Sequence, residues 1–292
     1  MTAIGVFCAR VRVEEKQIIE AIGAAGFAAV PVPPASTPLP PGPAASNGAL
    51  LGDLLGVAAE DSHDSIVALV DRVTNRAVAS ATLPILRAAG TRMIDAGLAA
   101  TGSRLDVATA LVAAGIARPA TLVGFTEESS IAAANQLGYP AVMLGLQPGS
   151  STTVLHDADT ADAVIEHRVV LGTGNDAVVL FQAGAPLGES RTIVHVIGGR
   201  AVAFEGALPV ARGIALAEAA ASALQAALVG VELANTDEGL IVWDIHPVAD
   251  FRKAQLLGDR TIGEAIVAEV MLRAGIEPVM AEEVPLGYAL SA

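Results

Sequence analysis

The stretch "VGVELANTDEGLIVWDIH", Val229 to His246, sets the reading of this chain. Two apolar runs flank a polar turn at 235–239, and their Val, Ile, Leu and Trp side chains suit a pleated, half-buried surface, so two adjacent antiparallel strands are predicted. Glu232 stands in the first run. Asp244 and His246 end the second, with Asp250 just beyond it. Polar groups that finish neighbouring strands either hold a ligand or metal or simply meet water, and residue types alone leave both open.

Working outward, "RTIVHVIGGRAVAFEG" predicts a hairpin turning at Gly198 and Gly199. A long helix follows from about Ala211 to Leu228, and a last helix starts near Thr261. At the other end, "TAIGVFCARVRVEEKQIIEAIGAAGFAAVPV" reads as a buried strand, a helix from about Val13 to Ala25 and a second strand. "SIVALVD" supplies a third strand, so the chain opens as an open α/β sheet. The Pro-rich "PVPPASTPLPPGPAAS" is expected to be an exposed extended loop, because Pro gives no donor to a ladder. "NRAVASATLPILRAAG" is the next helix. From Arg92 the units become smaller: helix "RLDVATALVAAGI", strand "ATLVGF", a helix capped by Thr126 with acids in its first turn, then further short strands, a helix "TADAVIEHRVVLG" and strand "AVVLFQ". The fold class is α/β with α+β lobes. The expected division is an N-terminal α/β domain at 1–91, a central small lobe at 92–183 and a C-terminal lobe at 184–292. No repeat of fixed period is visible, which argues against a solenoid or propeller.

Composition narrows the partners. The 292 residues carry a net charge of −14, which repels a phosphate backbone, and only 3% are aromatic, so no base-stacking surface is expected. Nucleic acid is excluded as a partner on this reading. The apolar window Ile214 to Val231 contains Glu218 and Gln225 and is shorter than the roughly 20 residues that span a bilayer, so no membrane partner is expected either. Cys8 is the single cysteine and cannot form an internal disulfide; with no recognisable leader, the expected compartment is the cytoplasm. Assembly into a homo-oligomer stays open.

Several strings together resemble the ATP-grasp superfamily, in the branch of ribosomal-protein glutamate ligases and lysine-biosynthesis carrier-protein ligases. "ARVRVEEKQIIEAI" is similar to that family's R-x-R-x-E-E-K helix entry, and "DRVTNRAVASATLPILRAAG" to its N-R-S/A-V-S segment. "LVAAGIARPATLV", "QLGYPAVML" and "VGVELANTDEGLIVWDIH" follow its pattern too. The resemblance covers nearly the whole chain. It implies a three-lobe ATP-grasp architecture and a ligase that phosphorylates a carboxylate with ATP and lets an amine attack the acyl phosphate. Such chemistry needs Mg ions on the phosphates, cations against developing charge and a water-excluding pocket.

By the same resemblance, Glu232, Asp244 and His246 occupy metal-holding positions, with His246 in place of an amide that would suit magnesium better. Arg104 is the counterpart of a nucleotide-contacting Lys. Gln182 remains at the adenine-side hinge, Gly149 and Ser150 begin the phosphate-covering loop, and Arg191 stands near a displaced cationic position. Departures are equally visible. Leu144 or Gly145 replaces a second Lys, Ala183 replaces the hinge Glu, Ile193 fills the cationic slot, and "PGSSTTV" lacks the loop's aromatic and later glycines. Losing several such contacts is expected to impair ATP turnover, since one alone costs about 10²- to 10³-fold.

The N-terminal lobe keeps its charges. Arg10, Arg12 and Lys16 after the first strand, and Asp71, Asn75 and Arg76 after another, stand at carboxyl ends of strands, where open α/β sheets bind ligands. Together with Arg212, Asp250 and Arg252 they form the expected substrate set, for a small-molecule carboxylate or a pterin-like ligand. No catalytic residue is assigned. Relatives that glutamylate tetrahydromethanopterin extend the resemblance toward one-carbon metabolism. Two functions therefore stand at this stage: an atypical glutamate-ligase-like enzyme, and a non-catalytic binder of an anionic or pterin cofactor on the same scaffold. Among the remaining candidates, His63, His156 and His167 are expected at the surface, His195 on a half-buried strand, and Cys8 packed.

Overall fold

The computed structural model describes residues 2–34, 66–148, 152–171, 178–184, 191–207, 209–237 and 239–276. Most of the Pro-rich stretch, His63, Gly149 and Ser150 lie outside them.

Three sheets fall in sequence order. In the first, β1 (Ala3–Phe7), β2 (Ala28–Val32), β3 (Ile66–Asp71) and β4 (Met93–Ile94) form a parallel sheet of order β2-β1-β3-β4. Strand β1 is buried along its whole length, as a central parallel strand covered on both faces must be. Helix α1 (Val13–Ala24) starts after Arg12, whose backbone N–H and guanidinium both donate to the Glu15 carboxylate, and α2 (Arg76–Ala88) starts at Asn75, whose side chain accepts from the Val78 N–H. A fourth strand joins the three expected, because Leu69 and Val70 find partners in Met93 and Ile94.

Residues Leu98–Thr101 then turn with positive φ throughout, between 31° and 59°, in a left-handed coil entered from Gly97 at φ 69°. Four consecutive non-Gly residues in this region are strained, at roughly 1–2 kcal/mol each. Helix α3 (Arg104–Ala113) follows, capped by Ser103. The middle sheet combines β5 (Thr121–Gly124), β6 (Ala141–Gly145), β7 (Thr152–Leu155) and β8 (Val179–Ala183) in antiparallel order β5-β8-β6-β7. Helices α4 (Glu127–Leu137) and α5 (Ala158–Leu171) accompany it. Thr126 caps α4 as the sequence predicts.

The last sheet is antiparallel, of order β12-β11-β9-β10-β13, from β9 (Arg191–Ile197), β10 (Arg200–Gly206), β11 (Leu228–Thr236), β12 (Gly239–His246) and β13 (Gln255–Leu256). One face packs on α6 (Ala211–Ala223), through Val194, Val229, Val231 and Leu233 against Ala217, Ala220 and Ala221. Small helix side chains let the helix lie close, so an aromatic-poor chain still closes a core. Helix α3 joins this core through Val107 and Leu111; it packs with the C-terminal sheet although its sequence position suggested the middle lobe. Helix α6 ends at Ala223, earlier than the expected Leu228, because Gln225 at φ 55° turns the chain into β11. The final helix, α7 (Ile262–Ala274), crosses back to the N-terminal lobe, where Ile262, Ile266 and Val270 pack with Ile18 and Ile22 of α1. One core therefore ties the last element to the first.

Candidate functional site

The free face of the C-terminal sheet looks toward the N-terminal lobe, and its registers show what it displays. Residues directly opposite one another share a face. One row across β12, β11, β9 and β10 is Asp244, Glu232, Ile193 and Glu205; the next is His246, Gly230, His195 and Ala203. Gly230 is required here: a Cβ would stand 2.7 Å from that of Ala249 and 3.3 Å from that of His246. Its absence lets the turn after β12 cross over the sheet.

Within the first row Glu232 is the hub. It is 4% exposed, receives Arg191 Nη1 at 2.5 Å on Oε1, and has Oε2 2.7 Å from His246 Nε2. Burial alone would raise its pKa, yet the hydrogen bond and charge of His246 and the nearby Arg191 outweigh it and hold the carboxyl below its usual range. Burial would likewise lower His246, and the Glu232 hydrogen bond with the Asp244 and Glu232 charges brings it above the ordinary imidazole value. Asp244 turns elsewhere: Oδ1 accepts the Ile245 N–H and Oδ2 is 3.9 Å from Arg104. Among the described residues no three His, Cys, Asp or Glu side chains converge as a metal cage. In this arrangement Glu232 has given its oxygens to a guanidinium and an imidazole, which does not fit a magnesium ion, whose octahedral shell asks for free oxygens.

Arg104 caps its own helix from the middle lobe, its backbone N–H donating to Leu146 O and its Nη1 donating to Gly145 O and Gln147 O. It separates two hollows. One, of about 360 Å³, is lined by Thr74, Arg76, Arg104, Thr152, Asp244 and His246, a volume in the range of small-molecule sites. The other lies between the middle and C-terminal sheets, where Gln182, Leu144, Leu180, Val242 and Trp243 meet Arg118. Its free volume is about 20 Å³, room for roughly one water and not for a purine. Arg118 escaped sequence reasoning altogether. Its Nη2 donates to Thr121 Oγ1 at 3.2 Å, while buried Nε and Nη1 have no hydrogen-bond partner among the described residues. Burial lowers its pKa, opposed by Asp244. The hollow thus holds a cation in addition to Arg104.

The predicted substrate set is only partly gathered. Arg76 lines the 360 Å³ hollow but is committed to Asp71 at 2.8 Å, Val73 O and Ala100 O, which pins β3 to the left-handed turn. Asn75 serves as a helix cap and Arg12 pairs with Glu15. Asp250 and Arg252 pair with each other, and Arg252 also reaches Glu14 at 3.1 Å. Arg10, Lys16 and Arg212 are exposed, the last in the first turn of α6. Arg72, again unpredicted, is the pivot between lobes: its Nε meets Glu15 at 3.0 Å, Nη1 donates to Ala249 O, and its plane lies 5.1 Å over Phe251. Cys8 is packed, its thiol pushed up to about 11 by burial. A further hollow of about 1160 Å³ contains none of the predicted residues, and two of its arginines are paired, Arg87 with Asp95 and Arg273 with Glu269.

The chain with these three sheets is similar to solved structures of one superfamily. A RimK domain ATP-grasp protein from Sphaerobacter thermophilus DSM 20745 matches 92% of this chain and 100% of its own at 29% identity, TM-score 0.73. The chain has the ATP-grasp fold. The ATP-grasp ligase PsnB, solved with a minimal precursor, Mg and ADP, matches 93% of this chain and 98% of its own at 16% identity, TM-score 0.62. D-cycloserine synthetase DcsG matches 93% and 99% at 13% identity, TM-score 0.66. No family model and no curated protein matches the sequence. Among the described residues no helix is long and apolar enough to cross a membrane.

Proposed function

We propose that this ATP-grasp protein derives from ATP-dependent carboxylate–amine ligases of the glutamate-adding type and binds an anionic small molecule in the cleft between its N- and C-terminal lobes, with ATP turnover strongly impaired. Cofactor or amino-acid-conjugate metabolism is the setting this implies. The observation that carries it is Glu232, held by Arg191 and His246 where a ligase would need free oxygens, beside a base pocket of about 20 Å³. Arg76, Arg104 and His246 line the 360 Å³ hollow and bias it toward a negatively charged ligand.

A working ligase is the second reading, favoured by Arg118. Its two unmet buried donors face the pocket where a nucleotide would enter once the lobes part. If ATP and Mg are bound, Arg104, Arg118 and Gln182 are the residues that would hold the nucleotide, which would supply the phosphoryl group of an acyl phosphate, with ADP as the leaving group.

Calorimetry of ATP with Mg, followed by ADP release in the presence of glutamate and candidate acceptors, separates the two. Weak or absent nucleotide binding beside tight binding of a carboxylate, with an anionic pterin of the tetrahydromethanopterin type included in the titration, supports the first reading. Micromolar ATP binding with turnover overturns it in favour of the ligase.

A further inference from the structure

The hollow of about 1160 Å³ shares no lining residue with the 360 Å³ cleft. The turn Leu98–Thr101 stands between the two: Leu98 and Ala99 line the larger hollow, while the Ala100 carbonyl accepts from Arg76, which lines the smaller. Elements of the N-terminal sheet and of the C-terminal lobe both contribute walls. They carry three arginines, Arg87, Arg92 and Arg273, against two carboxylates, Asp95 and Glu269. In a chain of net charge −14 this is a local excess of positive charge.

The carboxylates stand behind and the guanidiniums in front. Asp95 and Glu269 have side chains 4% and 8% exposed, whereas those of their partners Arg87 and Arg273 are 37% and 42% exposed. Each acid is itself fixed. Asp95 Oδ1 accepts the Gly97 N–H, and the Asp95 carbonyl accepts from Ala227 and Leu228. Glu269 lies so close to the hairpin turn that a Cβ on Gly198 would come within 2.5 Å of its Oε2. A guanidinium has five N–H donors in a rigid frame, and each of these gives one nitrogen to its carboxylate. The remaining donors are held in place at the hollow.

Arg87 and Arg273 also stand in the last turns of α2 and α7, where a cation answers the free carbonyls of the helix end. That role accounts for two of the arginines. Arg92 is on no helix; it precedes β4, and its side chain has no hydrogen-bond or ion-pair partner among the described residues. It supplies the surplus charge.

We propose that this hollow is a second ligand site, for a small molecule carrying at least two anionic groups, phosphate or carboxylate. Guanidinium pairs with either through charge-assisted hydrogen bonds, and side chains already fixed from behind lose little freedom when they do so. Such a ligand joins Arg92 and Arg87 of the N-terminal lobe to Arg273 of the last helix. The site stands apart from the cleft, whatever the cleft holds.

The test is calorimetry of the full chain with inorganic pyrophosphate and with citrate, in the absence of Mg and nucleotide. Wild type is compared with Arg92→Ala, with Arg104→Ala in the cleft, and with Arg260→Ala, an exposed arginine outside both hollows. Single-site binding of at least one probe is expected, weakened about tenfold in Arg92→Ala, the weight of one hydrogen bond between charged groups, and close to unchanged in the other two variants. Because Arg92 has no ionic partner to strand, its removal should leave the fold intact, which thermal unfolding verifies. Absence of saturable binding by both probes overturns the site. So does loss in Arg104→Ala with Arg92→Ala unaffected, which assigns the anion to the cleft. Equal weakening in all three variants overturns it as well, since net charge alone would then account for the binding.

Discussion

Oε2 of Glu232 and Nε2 of His246 lie 2.7 Å apart across adjacent strands, both partly or wholly shielded from water. The pair makes the C-terminal lobe sensitive to pH from both sides. His246 has a folded pKa above its reference of 6.5, so its contribution is complete below 6.5 and fades as pH rises through the raised value. Glu232 has a folded pKa below its reference of 4.5, so its contribution is complete above 4.5 and is lost as pH falls through the depressed value. Between these limits both contribute. Thermal unfolding of wild type and Glu232→Gln should therefore differ most at pH about 5–6 and less at pH about 9. A gap in Tm that is constant across this range would show that the pair is not linked to folding.

Much of this arrangement was legible in sequence because short-range signals decide it. Thr126 caps its helix as expected, the last helix begins at Thr261, and the double glycine at 198–199 turns its hairpin with positive φ, whereas Asn75, expected at a substrate site, is itself a helix cap. The end of α6 was not legible: the Ala-rich run carries no stop signal, and the residue that turns with positive φ is Gln225 where a glycine would be the usual marker. Arg72 and Arg118 were missed for a related reason. An arginine in a strand end or loop reads as solvated unless something shows what is laid over it, and here Phe251 and the middle sheet are contributed from far along the chain. The pairing of β11 with β12 sets Glu232 opposite Asp244 and within reach of His246, while the contacts with Arg191 and Arg104 depend on side-chain direction.

Arg72 should be among the most costly positions to truncate. Both it and Glu15 are essentially unexposed, and Arg72 also donates to the Ala249 carbonyl. Removing one partner leaves a buried charge without compensation, so Arg72→Ala is expected to lower stability by about 3–5 kcal/mol. Arg72→Lys should rescue little, because an ammonium cannot meet Glu15 and Ala249 in the same fork or lie over Phe251. Chemical denaturation gives the answer, and a loss under 1 kcal/mol for the Ala variant would rule out this pivot.

Arg118 should behave in the opposite way. Its guanidinium is desolvated and has one bond, to Thr121. Arg118→Met keeps most of the volume and removes the unmet donors, and replacing such buried charge by apolar atoms is often neutral or stabilising by about 1–4 kcal/mol. A Tm equal to or above wild type is expected. A clear drop in Tm would reveal a stabilising partner of Arg118, and with it a structural role in place of a ligand-facing one.

The left-handed turn at Leu98–Thr101 gives the last prediction. Ala99 is exposed, with φ 51° and ψ 35°, a conformation that an L side chain enters at a cost and glycine enters freely. Glycine also raises the entropy of the unfolded chain, which takes back part of the gain. Ala99→Gly should therefore stabilise the protein by about 1 kcal/mol, within the range of roughly 0–2 kcal/mol left when up to about 1 kcal/mol of entropy is taken from roughly 1–2 kcal/mol of relieved strain. Gly97→Ala should do the reverse, for a Cβ there would lie 1.9 Å from the Leu224 carbonyl oxygen, at a φ of 69°. Both variants can be compared by thermal unfolding at one pH. A turn that is strained as described requires the two shifts to have opposite signs, and Ala99→Gly lowering Tm would mean that this segment holds its left-handed form without strain.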